Sequence, residues 1–145
     1  MLVRSILSIV VLVACRSSHQ PATPSDERDG VVGDHHVSIV IPNAQLAAQA
    51  NDRITWRVPA GEATVSDDGP RTADTRFLVA RSPRTIVRSD GGFHVVTEVV
   101  RECDGRVFGC VYTETVADPE SPAGRAARDR GVAACGSLRV DPHPR

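Results

Sequence analysis

Two eleven-residue runs, Phe93–Cys103 and Arg106–Val116, meet at Asp104-Gly105. Asp-Gly is a favoured dipeptide for a two-residue hairpin turn, because both positions tolerate positive φ. In the first run Val95, Val96, Val99 and Val100 put branched side chains on both faces, which marks a central strand rather than an edge. The return run carries Val107, Phe108, Val111 and Tyr112. The stretch predicts an antiparallel meander, and the rest of the chain has to pack around it.

The flanking segments fit that plan. Val37, Ile39 and Ile41 read as a strand ended by Pro42, and Arg53–Val58 alternates Ile54, Trp56 and Val58 with polar residues. Ala63–Ser66 is a short strand candidate, followed by a turn at Asp67-Asp68-Gly69-Pro70. Phe77–Arg81 and Thr85–Ser89 are further strand candidates before the turn at Asp90-Gly91-Gly92. Asn43 caps a short expected helix through Ala44, Leu46, Ala47, Ala48 and Ala50. A second helix opens at Ser121, with Pro122 in its first turn, and runs to about Cys135 before Gly136. Gly124 and Gly131 each cost it about 1 kcal/mol, so it needs a docking surface. Leu138–Val140 is a final edge strand candidate. The expected class is α+β, an antiparallel β-meander sheet with one or two short helices packed on a face.

Aromatic residues are scarce, being Trp56, Phe77, Phe93, Phe108 and Tyr112. The core therefore rests on Val, Ile, Leu and Ala and gains from a covalent staple. Cys103, Cys110 and Cys135 are the candidates, an odd number that implies one pair and one buried thiol. A tight turn at Asp104-Gly105 would set Cys103 opposite Arg106 and Cys110 opposite Val99. The two cysteines would then lie ~13 Å apart along the sheet, beyond the ~7 Å limit between Cα atoms. Cys110 would pair with Cys135 instead. If Cys103 to Cys110 is a loop, those two close an eight-residue ring. Turn chemistry favours the first arrangement, and the short spacing favours the second.

The N-terminus has a separate logic. Arg4 is the only early charge before an apolar run through Ile6, Leu7, Ile9, Val10, Val11, Leu12 and Val13. This is the layout of an export signal, and its length of about ten residues falls short of the ~20 of a spanning helix. Leu12-Val13-Ala14-Cys15 resembles the lipobox of bacterial lipoprotein precursors. That resemblance implies a signal peptide over 1–14 and diacylglyceryl modification of Cys15, followed by acylation of the new amino terminus. It also implies a lipid anchor in the cell envelope. Arg16 is not the aspartate associated with inner-membrane retention, so in a diderm host the resemblance implies the outer membrane, facing the periplasm. Residues 15–34 read as the lipidated cysteine and a flexible tether that spans roughly 25 Å on average. Residues 35–145 read as a single globular envelope domain.

Catalytic signatures are missing: there is no Gly-x-Ser-x-Gly, His-Glu-x-x-His, P-loop or Cys-x-x-Cys. Asp34, His35 and His36 could bind a metal with another donor such as His94 or His143. Neighbours on a strand point to opposite faces, however, so solvated histidines at a tether junction are the simpler account. His94 and Glu98 share a face but stand ~13 Å apart. All seventeen basic residues are arginine and the formal charge is −1, so no bulk field draws nucleic acid. Arg125 and Arg128 share a helix side and could dock an acidic partner. Trp56 between Arg53 and Arg57 could be a recognition aromatic, although a core tryptophan suits its strand better. The expected protein is a non-catalytic, lipid-anchored binding or accessory component with an envelope protein or glycan as partner. No cofactor and no metal are expected. The alternative is a small exported enzyme or metal-binding protein whose histidines and carboxylates assemble only in three dimensions.

Overall fold

A computed structural model describes residues 26–70 and 83–142. The chain forms β1 (Glu27–Val32), β2 (His35–Val40), β3 (Gln45–Ala50), β4 (Arg53–Val58) and β5 (Gly61–Pro70). Then follow β6 (Arg84–Ser89), β7 (Phe93–Cys103), β8 (Arg106–Val116), the helix α1 (Pro122–Gly136) and β9 (Arg139–Pro142). Among the described residues all pairings are antiparallel, in a six-stranded sheet β3-β4-β5-β8-β7-β6 and a three-stranded sheet β1-β2-β9. The fold is α+β.

The β7–β8 hairpin has the register its turn demands. Asp104 and Gly105 both have positive φ, at 51° and 72°, and Cys103 faces Arg106 while Val99 faces Cys110. The pleat then places Phe108, Cys110, Tyr112 and Glu114 on one face of β8, all buried. They continue into rows across the sheet: Val99, Cys110, Val65 and Ile54, then Thr97, Tyr112, Ala63 and Trp56.

Two elements cover this inner face. Helix α1 lies on β7 and β8, and the small sheet covers β4 and β5 through β1. The core joins Val37, Ile39, Leu138 and Val140 to Ile54, Trp56, Val65 and Phe108. Ser121 caps α1 by accepting a hydrogen bond from the Gly124 amide at 3.1 Å, with Pro122 in the first turn. At the other end Ser137 Oγ accepts from the Val40 amide at 2.8 Å and donates to the Ala134 carbonyl at 2.6 Å. Cys110 and Cys135 form a disulfide with Cα atoms 5.6 Å apart. Closing a loop of that 25-residue separation stabilises the fold by about 3.5 kcal/mol on chain-entropy grounds.

Several expectations change. The helix expected over 43–50 is the edge strand β3, all of whose residues are exposed. A helix that short is marginal alone, whereas the turn at Asn51-Asp52 lets the segment pair with β4 from Ala50↔Arg53 onward. The tether expected to reach Asp34 ends earlier, because Glu27–Val32 pairs along β2 and Val32 is fully buried. Asp67–Pro70 is the irregular end of β5, where the register shifts between Asp67 and Gly69, and not a turn. Cys15, Phe77–Arg81 and His143 lie outside the described residues.

Gly131 explains how a weakly amphipathic helix comes so close to the sheet. A Cβ there would collide with Thr97 Oγ1 and Cβ and press on the Tyr112 ring. Gly131→Ala should therefore destabilise despite alanine's helix preference of about 1 kcal/mol, since overpacking costs about 1–3 kcal/mol. A lowered urea midpoint with unchanged slope is the expected result. A raised midpoint would mean that the contact is loose.

Candidate functional site

One end of the inner face stays open. A cavity of about 690 Å³ lies between α1 and the β2–β3 and β4–β5 connections, within the size range of small-molecule sites. Its walls are mostly apolar, formed among others by Ile41, Pro42, Val58, Pro59 and Val132. Asn43 turns the chain at the rim with φ of 57°, a conformation that asparagine tolerates.

Asn43, Asp129 and Ser137 also line the cavity, and Tyr112, Glu114 and Arg130 form a compact triad in its wall. Glu114, 2 % exposed, receives Arg130 Nε and Nη2 in a bidentate pair, both at 2.7 Å. The Tyr112 hydroxyl donates to the same carboxylate. The Arg130 hydrogen bond holds the Glu114 carboxyl below the usual range; burial opposes this, and the tyrosine hydroxyl assists. Burial, followed by donation to Glu114, pushes the Tyr112 phenol well above its ordinary value.

A second constellation lies at the opposite end of β8. His35, 5 % exposed, is the first residue of β2 and points inward with Val37 and Ile39. Its ring stands 4.8 Å from Phe108, and neither ring nitrogen has a hydrogen-bond partner. A buried polar atom left unsatisfied costs about 1–3 kcal/mol. The imidazole meets Cys103 and Asp104, and the three donor atoms lie within 4.8 Å of one another. His35 Nε2 is 3.7 Å from Asp104 Oδ2. Among the described residues this is the group whose donor set could hold a metal. Nearby, Arg106 clamps the buried Asp67 through Nη2 at 2.8 Å, and Asp67 crowds the outside of the Gly33 turn.

The sequence-predicted residues fall as follows. Cys110 and Cys135 are the disulfide, while Cys103 is buried outside it. Trp56 is 2 % exposed and belongs to the core, so it cannot serve as a recognition aromatic. Arg125 and Arg128 converge on Glu120, through its carbonyl at 2.5 Å and its carboxylate at 2.6 Å, and are not joined to Trp56. His94 hydrogen-bonds Thr115, whereas Glu98 faces Arg84 and Arg88. The expectation of solvated histidines holds for the outward-facing His36 and fails for His35, whose strand face turns into the core. The Glu114–Arg130–Tyr112 triad escaped the sequence reading. Its one visible signal is a glutamate on the apolar face of a strand, two residues after Tyr112.

No protein-family model matches the chain, and no curated protein does. A solved structure from Bacteroides thetaiotaomicron VPI-5482, determined at 1.50 Å, is similar at 9 % identity and a TM-score of 0.44, over 74 % of this chain and 48 % of that one. The chain thus spans about half the length of that protein. Among the described residues no helix is long and apolar enough to cross a membrane.

The triad predicts an asymmetry. Arg130→Ala strands a buried carboxylate and should cost about 3 kcal/mol, the low end for a broken buried pair because the arginine is 54 % exposed. Glu114→Gln leaves an arginine that can reach water and should cost about 1–2 kcal/mol. Because the Glu114 pKa is depressed in the fold, its stabilisation is present above the ordinary value of 4.5 and lost as pH falls through the lowered one. The gap in melting temperature between wild type and Glu114→Gln should therefore narrow below pH 4.5. A gap independent of pH would mean that the pair is not what stabilises this end.

Proposed function

We propose that the chain is a lipid-anchored cell-envelope protein that acts by binding, and that its cavity holds a small ligand with an apolar body and one hydrogen-bond acceptor. The observation that carries this is the cavity of about 690 Å³ with mostly apolar walls and a few polar groups, of which Tyr112, Glu114 and Arg130 are joined to one another, the usual composition of a small-ligand site. Arg130 commits two of its five N–H donors to Glu114. The remaining donors, on a half-exposed side chain, suit an acceptor on the ligand. Glu114 balances the charge, so the acceptor need not be a full anion. The Glu114 carboxylate is already engaged by Arg130 and Tyr112, which favours binding over proton transfer. The lipobox resemblance at Leu12-Val13-Ala14-Cys15 supports the anchor, and a disulfide between Cys110 and Cys135 suits an oxidising compartment.

Cavity and anchor are tested separately. Anilinonaphthalene sulfonate, an apolar body with an acceptor head, should bind saturably at one site. Ala133→Trp, at an exposed helix position on the cavity wall, should abolish that binding without lowering the melting temperature. Undiminished binding in a folded variant would overturn the cavity assignment. For the anchor, labelled palmitate should enter the wild-type chain in a bacterial host and be lost on Cys15→Ala. Label that persists in that variant would overturn it.

A further inference from the structure

We infer that His35, Cys103 and Asp104 form a zinc site, independent of the cavity. The first ground is the state of His35. Its imidazole is 5 % exposed, yet neither nitrogen is hydrogen-bonded, and it points at a thiol and a carboxylate. The second ground is geometry. Ligands around tetrahedral zinc sit about 3.3–3.6 Å from one another, given bonds of 2.0–2.3 Å. The His35–Asp104 separation of 3.7 Å is close to that edge. All three donor atoms fall within 4.8 Å of each other, so small side-chain rotations would bring them into range.

The fold explains how neighbours in sequence serve one ion. Cys103 and Asp104 would point to opposite faces of a continuous strand. The turn at Asp104-Gly105, with φ of 51° and 72°, breaks that alternation. It lets the Asp104 carboxylate come round to the side on which Cys103 is buried. His35 arrives from the other sheet, held by pairing with both Val32 and Pro142. The site therefore links β2 to the β7–β8 hairpin.

The donor set selects the metal. A thiolate and an imidazole exclude calcium and magnesium, which prefer oxygen donors. A carboxylate as third ligand disfavours copper(I) and suits zinc. Asp104, whose side chain is 61 % exposed, gives the ion a path to solvent and leaves water as fourth ligand. Three protein ligands and one open position make up the arrangement of zinc centres that exchange a ligand.

The test uses the full chain, stripped with a chelator under reducing conditions that spare the buried disulfide, and cobalt(II) as a spectroscopic stand-in for zinc. One equivalent of cobalt should produce a thiolate-to-metal charge-transfer band that one equivalent of zinc abolishes. The band should survive Cys15→Ser and vanish on Cys103→Ser. His35→Ala should weaken zinc binding at least 100-fold by competition titration. Asp104→Asn keeps a residue that tolerates positive φ and so leaves the turn intact; it should weaken binding about tenfold, since water can take the vacated place. Zinc should raise the melting temperature of wild type and not that of His35→Ala. No band in the wild type, or a band unchanged by Cys103→Ser, would overturn the site. Because Asp104→Asn leaves the fold alone, undiminished zinc affinity in that variant would remove the carboxylate from the ligand set and with it the proposed site.

Discussion

The two-residue turn at Asp104-Gly105 fixes the register of β7 on β8, and most of what matters in this protein follows from that register. It carries Cys110 to the row of Val99, under the helix, and Glu114 to the row of Val95, in the wall of the cavity. It leaves Cys103 in the last row, beside the turn. A slip of one residue would turn Cys110, Tyr112 and Glu114 to the outer face. The disulfide, the triad and the packing of α1 would then fail together. Positive φ at both turn positions is the local reason that the slip does not happen.

The helix is the least self-sufficient element. It contains three glycines and carries no basic residue in its last turn to complement the dipole. It is held by docking: Gly131 against Thr97 and Tyr112, the disulfide from Cys135 to Cys110, the Arg130–Glu114 pair, and Ser137 bonded to the Val40 amide. Of these, the Arg130–Glu114 pair, Tyr112, and Ser137 with Val40 also line the cavity. The same ties that make the helix stable therefore shape the proposed binding site.

Elements with a local cause were legible in the sequence. The hairpin followed from Asp-Gly between apolar runs, and the helix start from Ser121-Pro122. The choice between two disulfide schemes reduced to whether that turn is tight. Elements fixed by distant partners were not. The alanine-rich segment Gln45–Ala50 has helical propensity, yet it forms an edge strand because β4 offers a ladder and Asn51-Asp52 a turn. The burial of Glu27–Val32 depends on β2, and polar residues there hid the pairing. The partners of His35 lie 68 and 69 positions onward (103 − 35 and 104 − 35) and in another sheet, beyond any spacing rule. Glu114 found its arginine only once α1 was docked.

The cavity triad and the His35 cluster lie at opposite ends of β8, eight rows apart from Arg106 to Glu114 or ~26 Å at 3.3 Å per residue. Each spans the boundary between the large sheet and an element laid over it, α1 in one case and β2 in the other. Glu114 has its partners within the chain, and the ion pair is complete. His35 has a thiol and a carboxylate facing it but no hydrogen bond to either nitrogen. Buried polar groups in folded proteins are rarely left so. One end is therefore electrostatically closed, with only the spare donors of Arg130 left beside it. The other is electrostatically open, and a cation would complete it. Because β2 runs from His35 to Val40, where the Ser137 bond begins the cavity wall, a shift of that strand would be felt at both ends.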